Sequence, residues 1–352
     1  MNAFTPSLGL SVRSADLTDP VELRMLDAFV AGQPDGSPFH RPAWSLAVEQ
    51  GCGQRAHYLV AEDGQGLRGV LPLSEIRSRL FGSALVSTGF GVGGGIVGTG
   101  HEPLANAAVA LATRLGISGL ELRGGPVPSA WQSREGTYAG FVKDLPGSDG
   151  AILKAIPRKQ RAEVRRAQTF GLGVRVGRSE QDLADHYRAY SQSVRNLGTP
   201  VFSRSLFKAM LEAFGEDADI LTVSKDGRPV ASVFSFYHDG CVYPYWGGGG
   251  VEARALRAND HIYYELMRHA AARGCTRFDF GRSKVGTGAF AYKKNWGFEP
   301  KPLIYATRTL SGATPRAINP LDPKYRLKVQ LWQRLPLPIA NLIGPWIARG
   351  LG

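Results

Sequence analysis

Two stretches of this chain, about 160 positions apart, run through the same order of elements, and this repetition limits the fold more than any other feature. In the first, residues 58–61 and 70–76 read as apolar strands and 84–88 as a third. The glycines Gly89, Gly91, Gly93, Gly94 and Gly95 follow, then a helical stretch over about 103–115, Gly116 and a short strand at 120–122. In the second, 220–224, 230–237 and 241–246 read as strands, and Gly247, Gly248, Gly249 and Gly250 form the cluster. A helix over about 259–273, Gly274 and a strand at 276–280 complete it. Hairpin, third strand, glycine loop, helix and strand, occurring twice, describe two copies of one α/β unit rather than a solenoid.

The helix limits fit this division. Gly116 and Gly274 stand just past the helical runs, where a left-handed cap costs glycine least. Asn259 reads as an N-cap, with Ile262, Leu266, His269 and Ala270 recurring on one face behind it. His269 on that stripe reads as a packing residue. A length of 352 residues is enough for two domains, each with its own core. Their expected limits are 1–150 and 151–312, followed by a basic and apolar extension over 313–352.

Charge narrows the partners without choosing among them. With 42 Lys and Arg against 30 Asp and Glu, the net charge of +12 attracts phosphates, nucleic acid or an anionic membrane. Three widely spaced cysteines, Cys52, Cys241 and Cys275, form neither a Cys-x-x-Cys pair nor a disulfide framework, so a reducing cytoplasm is the expected home. The first residues lack a charged segment followed by an apolar core, and no uninterrupted apolar run reaches about 18 residues. In the tail, Trp332, Leu335, Leu337, Ile339, Leu342, Ile343, Trp346 and Ile347 mix with Lys324, Arg326, Lys328, Arg334 and Arg349. Residues 319–352 therefore read either as docked on the folded domains or as lying in the inner membrane interface.

Chemistry concentrates in residues 279–298. A strand ends on Asp279, Phe280, Gly281 and Arg282, glycines 286 and 288 follow, and Tyr292, Lys293, Lys294 and Trp296 come next. The order Asp-Phe-Gly, glycine-rich spacer, Tyr-Lys-Lys-Asn-Trp-Gly-Phe resembles the signature of the Fem family of peptidoglycan-bridge aminoacyl transferases, themselves tandem GNAT-like proteins. It is most similar to the FemAB-like branch associated with exosortase (PEP-CTERM) gene clusters. The resemblance implies an α/β fold of two GNAT-like domains, each a mixed and mainly antiparallel sheet flanked by helices. It also implies acyl or aminoacyl transfer to an amine on a cell-envelope, peptidoglycan or exopolysaccharide precursor. The donor would be a co-substrate, aminoacyl-tRNA or acyl-CoA, with no tightly bound cofactor.

Within that frame Lys293 is the expected stabiliser of the tetrahedral oxyanion, with Tyr292 stacking beside it at the donor's terminal adenosine. Asp279 accepts the amine's proton or orients Arg282 and Lys293. The orienting role is expected, because a carboxylate among cations stays ionised. A proline-led helix carries Arg158, Arg161 and Arg165 on one face with Lys159 beside them, a density that suits phosphates or a solvated amphipathic helix; the resemblance to the Fem-like pattern favours phosphates. Gly247, Gly248 and Gly249, ahead of a helix, would hold an anion at its N-terminus. Tyr243, Tyr245 and Trp246 would either floor the acceptor cleft or pack in the core, the two tyrosines sharing a face by alternation, while Lys294 and Trp296 complete the substrate-binding set. No nucleotide-binding P-loop, Gly-x-Ser-x-Gly elbow, His-x-x-x-His pair or paired carboxylates occur, so no metal site is read. The acetyltransferase pyrophosphate pattern is not cleanly met, which leaves the donor open. An acyl-CoA-dependent N-acyltransferase and a non-catalytic RNA- or membrane-binding scaffold stand as the alternatives.

Overall fold

The computed structural model describes residues 9–310 and 323–351, so the junction expected at 313–322 lies outside the described residues. In chain order the first elements are β1 (Ser11–Ser14), α1 (Pro20–Ala31), α2 (Pro42–Cys52), β2 (Arg55–Asp63), β3 (Gly66–Ser78), β4 (Gly82–Ser87), β5 (Val97–Gly98), α3 (His101–Leu115), β6 (Gly119–Arg123) and β7 (Gln132–Arg134). Next come β8 (Tyr138–Asp144), α4 (Asp149–Ala155), α5 (Arg158–Gln168), β9 (Gly173–Gly177), α6 (Glu180–Asn196), α7 (Arg204–Phe214), β10 (Ala218–Lys225), β11 (Arg228–His238) and β12 (Cys241–Gly249). The remainder are α8 (Ala258–Ala272), β13 (Arg277–Lys284), α9 (Gly288–Asn295), β14 (Lys301–Pro302), β15 (Tyr305–Thr309), α10 (Pro323–Arg334) and α11 (Leu337–Ala348).

The repeat is present. In one sheet, ordered β1-β2-β3-β4-β6-β15-β7, β4 and β6 are parallel, and α3 makes the crossover between them. In the other, ordered β14-β8-β13-β12-β11-β10-β9, the parallel pair is β12 with β13, joined through α8. Parallel neighbours need such a crossover, whereas the antiparallel hairpins need only a tight turn. At Asp226-Gly227 and Asp239-Gly240 both turn residues have positive φ, the backbone that two-residue hairpins require. Leu59, Leu71, Leu85, Leu104, Leu111 and Leu120 close the first core; Val233, Val242, Ile262, Leu266, Phe278 and Trp296 belong to the second.

The units differ from the expected 1–150 and 151–312. One takes the chain up to Glu135, the segment from Ile304 and the end from Arg349; the other takes Gly136–Leu303 and the helices up to Ala348. The cause is an exchange of strands. β8, which follows the first unit's elements in sequence, pairs with β13 in the second sheet. β15, which follows the second unit's elements, pairs with both β6 and β7 in the first.

Two local expectations are corrected. Gly247, Gly248 and Gly249 are not a loop before a helix: they end β12, opposite Val233, Ser232 and Ala231 of β11. A Cβ at Gly248 would lie 2.6 Å from Ser193 Cβ, and one at Gly249 would lie 2.4 Å from Ala253 Cβ, so these positions are glycine because neighbouring elements pack closely against the strand. Nor does Asn259 cap α8; the cap is Arg257 in a left-handed conformation (φ 52°), with Asn259 already inside the helix.

The tail docks within the second unit. Arg195 of α6 donates to the carbonyls of Gln333 (3.2 Å) and Leu335 (3.1 Å), and Asn341 donates to Ser191 Oγ (3.4 Å). Ala340, Gly344 and Ala348 are the buried face of α11, where small residues allow a close approach.

Candidate acyl-transfer site

The parallel pair of the second sheet is short. β12 and β13 are paired only at Cys241 with Arg277 and Val242 with Phe278, whereas β4 and β6 stay paired over four positions. Past Phe278 the strands part, leaving a notch beside β13, and Asp279 is the first β13 residue beyond the last position paired with β12. Open parallel edges of this kind place strand carboxyl ends around a crevice, the usual position of ligands in α/β sheets.

A β-bulge then shapes β13. Asp279 pairs with Val142 of β8 and Arg282 with Gly140, so Phe280 and Gly281 together stand against the single residue Phe141. Gly281 takes φ 71°, a conformation that a side chain would strain. Its N–H donates to Asp279 Oδ1 at 2.8 Å.

Lys293 covers this bulge. The residues from Gly288 to Asn295 form the helix α9, capped by Thr287, whose Oγ1 accepts from Phe290 N (3.3 Å). α9 brings the Lys293 ammonium to the Arg282 carbonyl, to which it donates at 2.9 Å. The same ammonium lies 5.5 Å from the ring centroids of both Phe141 and Phe280. Burial, only partly offset by Asp279, pulls the Lys293 amine down to about 8. Burial likewise pushes Asp279 up to about 6 against the Gly281 N–H and the charges of Lys293 and Arg277. Desolvation here outweighs the cations, so the carboxyl lies above the ordinary aspartate value. The offsetting charges are those of Lys293 and Arg277, and the Arg282 guanidinium lies 4.6 Å over the Tyr138 ring.

Other expected residues are placed differently. Tyr292 is not the ring beside Lys293. Its hydroxyl donates to Asp260 Oδ1 (2.9 Å), and its ring packs with Tyr263, Phe280 and Trp296. Trp296 is 1% exposed and belongs to the core, out of reach of a substrate. Trp246 is buried among Phe202, Phe207, Phe234 and Phe236. The register of β12 slips at Tyr245, since Phe234 pairs with Trp246 and Ser235 with Pro244, which breaks the alternation expected of Tyr243 and Tyr245. Tyr243 is buried next to Cys241 and Asp279, and burial raises its phenol. Lys294 is exposed.

On α5, Gln160, Val164 and Ala167 face inward, which leaves Arg158, Lys159, Arg165 and Arg166 exposed. Among the described residues none of these four has an ion-pair partner. Arg161 departs from the group, because its Nε donates to the Ile156 carbonyl at the end of α4 (3.2 Å). Sequence reasoning missed Asp260 and Gln160. Gln160 Nε2 donates to Asp260 Oδ1 (2.5 Å), and burial raises that carboxyl despite this bond and the one from Tyr292. The available signal for Gln160 was a neutral polar residue standing among the cations Arg158, Lys159 and Arg161.

Comparison places this architecture among known folds. The model of the acetyltransferase (GNAT) domain matches residues 157–294, which contain α5, the notch and Lys293. The crystal structure of FemX is similar at a TM-score of 0.66, with 15% identity over 85% of this chain and 97% of that one. L-PGS from Bacillus licheniformis is similar at 0.54, with 13% identity over 90% and 98%. A tandem GNAT protein from the clavulanic acid biosynthesis pathway is similar at 0.55, with 11% identity over 87% and 100%. No curated protein sequence matches the chain. The fold is accordingly a tandem, GNAT- and Fem-like one, with a mixed α/β sheet in each unit.

Proposed function

We propose that the protein transfers an acyl or aminoacyl group to an amine, with the chemistry at the notch beside β13. The observation that carries this reading is Lys293: a half-buried ammonium whose hydrogen bond, among the described residues, goes to the Arg282 carbonyl and leaves two of its three N–H groups for a substrate oxygen. As the acceptor nitrogen bonds to the donor carbonyl, negative charge forms on the carbonyl oxygen, and Lys293 stabilises it in a site of low polarity. The nitrogen sheds a proton, which Asp279 takes up; near 6, its carboxyl is ionised at neutral pH yet more basic than a surface aspartate. Collapse breaks the ester or thioester bond, and the leaving oxygen or sulfur takes a proton from Lys293 or water. Arg282, over Tyr138, and the hydroxyl of Tyr292, on Asp260, act by holding the walls of the site.

The donor favoured is aminoacyl-tRNA, because Arg158, Lys159 and Arg165 on α5 offer unmatched positive charge to a phosphate backbone. Similarity to FemX supports this. An amine on a peptidoglycan or exopolysaccharide precursor, met at the cytoplasmic face of an envelope as in an exosortase (PEP-CTERM) system, is the proposed acceptor. A second reading, acyl-CoA as donor, draws on the match to the acetyltransferase domain model and the likeness to a tandem GNAT protein.

Transfer from labelled donors in a cell extract separates these readings. Aminoacyl-tRNA dependence predicts loss of transfer on RNase treatment and insensitivity to coenzyme A depletion, and the acyl-CoA reading predicts the reverse. Lys293→Ala is expected to lower transfer by about 10²–10³ with donor binding retained. Unchanged transfer in that variant would remove Lys293 from the chemistry, and no transfer attributable to the wild-type protein with either donor would leave the scaffold reading in its place.

A further inference from the structure

The inward face of α11 is made of small residues, and its outward face is not. Ile339, Leu342, Ile343 and Trp346 are all exposed, Leu342 by 80% and Trp346 by 60%. At about 100° per residue these four fall within roughly 100° of arc, opposite the buried Ala340, Gly344 and Ala348. Only two residues separate α11 from the end of α10, which exposes Leu327 and Leu331 one turn apart. Six large apolar side chains on two successive helices are more than a scatter of surface hydrophobics.

Charge selects the occupant. From residue 323 to 351 the chain has no acidic residue and five cations, Lys324, Arg326, Lys328, Arg334 and Arg349. A second copy of the chain would bring the same positive charge against itself. Among the described residues no helix is long and apolar enough to cross a membrane. α11, with 12 residues, measures about 18 Å against a hydrocarbon core of about 30 Å.

We propose that the outward face of α10 and α11 seats the protein on an anionic phospholipid bilayer, with α11 lying in the interface. Leucine and isoleucine side chains enter the acyl boundary, the Trp346 indole sits at headgroup depth, and the flanking cations meet lipid phosphates. Apolar burial supplies most of the attraction and charge supplies the preference for anionic lipid. This proposal does not depend on the transfer reaction.

The test is co-sedimentation of the full chain with vesicles of phosphatidylcholine alone and of phosphatidylcholine mixed with phosphatidylglycerol, at low and high salt. The expected result is pelleting with the anionic vesicles, at least tenfold weaker on the neutral ones and reduced by salt, with a blue shift of tryptophan emission. Leu342→Ser with Trp346→Ser is expected to abolish pelleting while leaving the circular dichroism spectrum and Tm unchanged, since both side chains are exposed. Trp346→Ser alone, a milder change, is expected to weaken it. Wild-type protein left in the supernatant with anionic vesicles overturns the proposal, as does a folded double variant that pellets like wild type. A wild-type dimer in size-exclusion chromatography that the double variant dissolves, with no vesicle binding, would assign the face to a second copy.

Discussion

At the scale of the residue, Lys293 and Asp279 show burial competing with charge and winning at both groups. Each is pushed toward its neutral form although the other lies near. For Lys293 the folded-state value is lowered, from 10.5 to about 8, so the cost of holding the ammonium is complete below about pH 8 and gone above the unfolded value. Lys293→Met should therefore raise stability by about 2 kcal/mol at pH 7, a shift of this size discounted for partial exposure, and the gain should fade between about pH 8 and 10.5. Urea denaturation across that range measures it. The same variant should lose transfer, separating catalytic from structural need. For the wild type, kcat/KM should rise through about pH 6 as Asp279 ionises and fall through about pH 8 as Lys293 loses its proton; Asp279→Asn should remove the acidic limb. The sequence displayed both residues but not their surroundings. Phe141, whose ring faces the ammonium, is about 150 positions away, and the desolvation it helps to create has no local sign. Asp260 and Gln160 escaped notice for the same reason, since their meeting depends on α5 packing against α8.

At the scale of the element, periodicity located the strands and helices of both repeats to within a few residues, because their apolar faces are regular. It failed where a residue type serves two purposes. A run of glycines reads as a loop, yet Gly247, Gly248 and Gly249 continue a strand whose face is crowded by α6 and the turn at Ala253. Gly248→Ala should cost about 1–3 kcal/mol through overpacking against Ser193. A double-mutant cycle with Ser193→Gly should show favourable coupling, because that change removes the Cβ in the way. If Gly248 instead served only to bind an anion, the alanine variant would keep its Tm. α9 went unseen because eight residues give little periodicity, although the Thr287 cap marked its start.

At the scale of the whole molecule, the two-unit plan was legible and the division was not. Local reading assigns neighbouring segments to one unit, and here β8 and β15 each complete the sheet of the other repeat. A chain ending at Leu303 should keep the strands of the second sheet but leave β6 and β7 without the strand between them. Hydrogen exchange at Leu120–Arg123 should then be fast, whereas protection there equal to the full chain would show that β15 is dispensable. The exchange also sets a problem for synthesis. β6 leaves the ribosome shortly before β8, with only the short β7 between them, and pairing the two in a local hairpin closes a far shorter loop than β6 with β15 or β8 with β13. The nascent chain must keep them apart, or separate them again, until β13 and then β15 have been made. Refolding should accordingly contain a slow phase that disappears when the segment between β6 and β8 is cut.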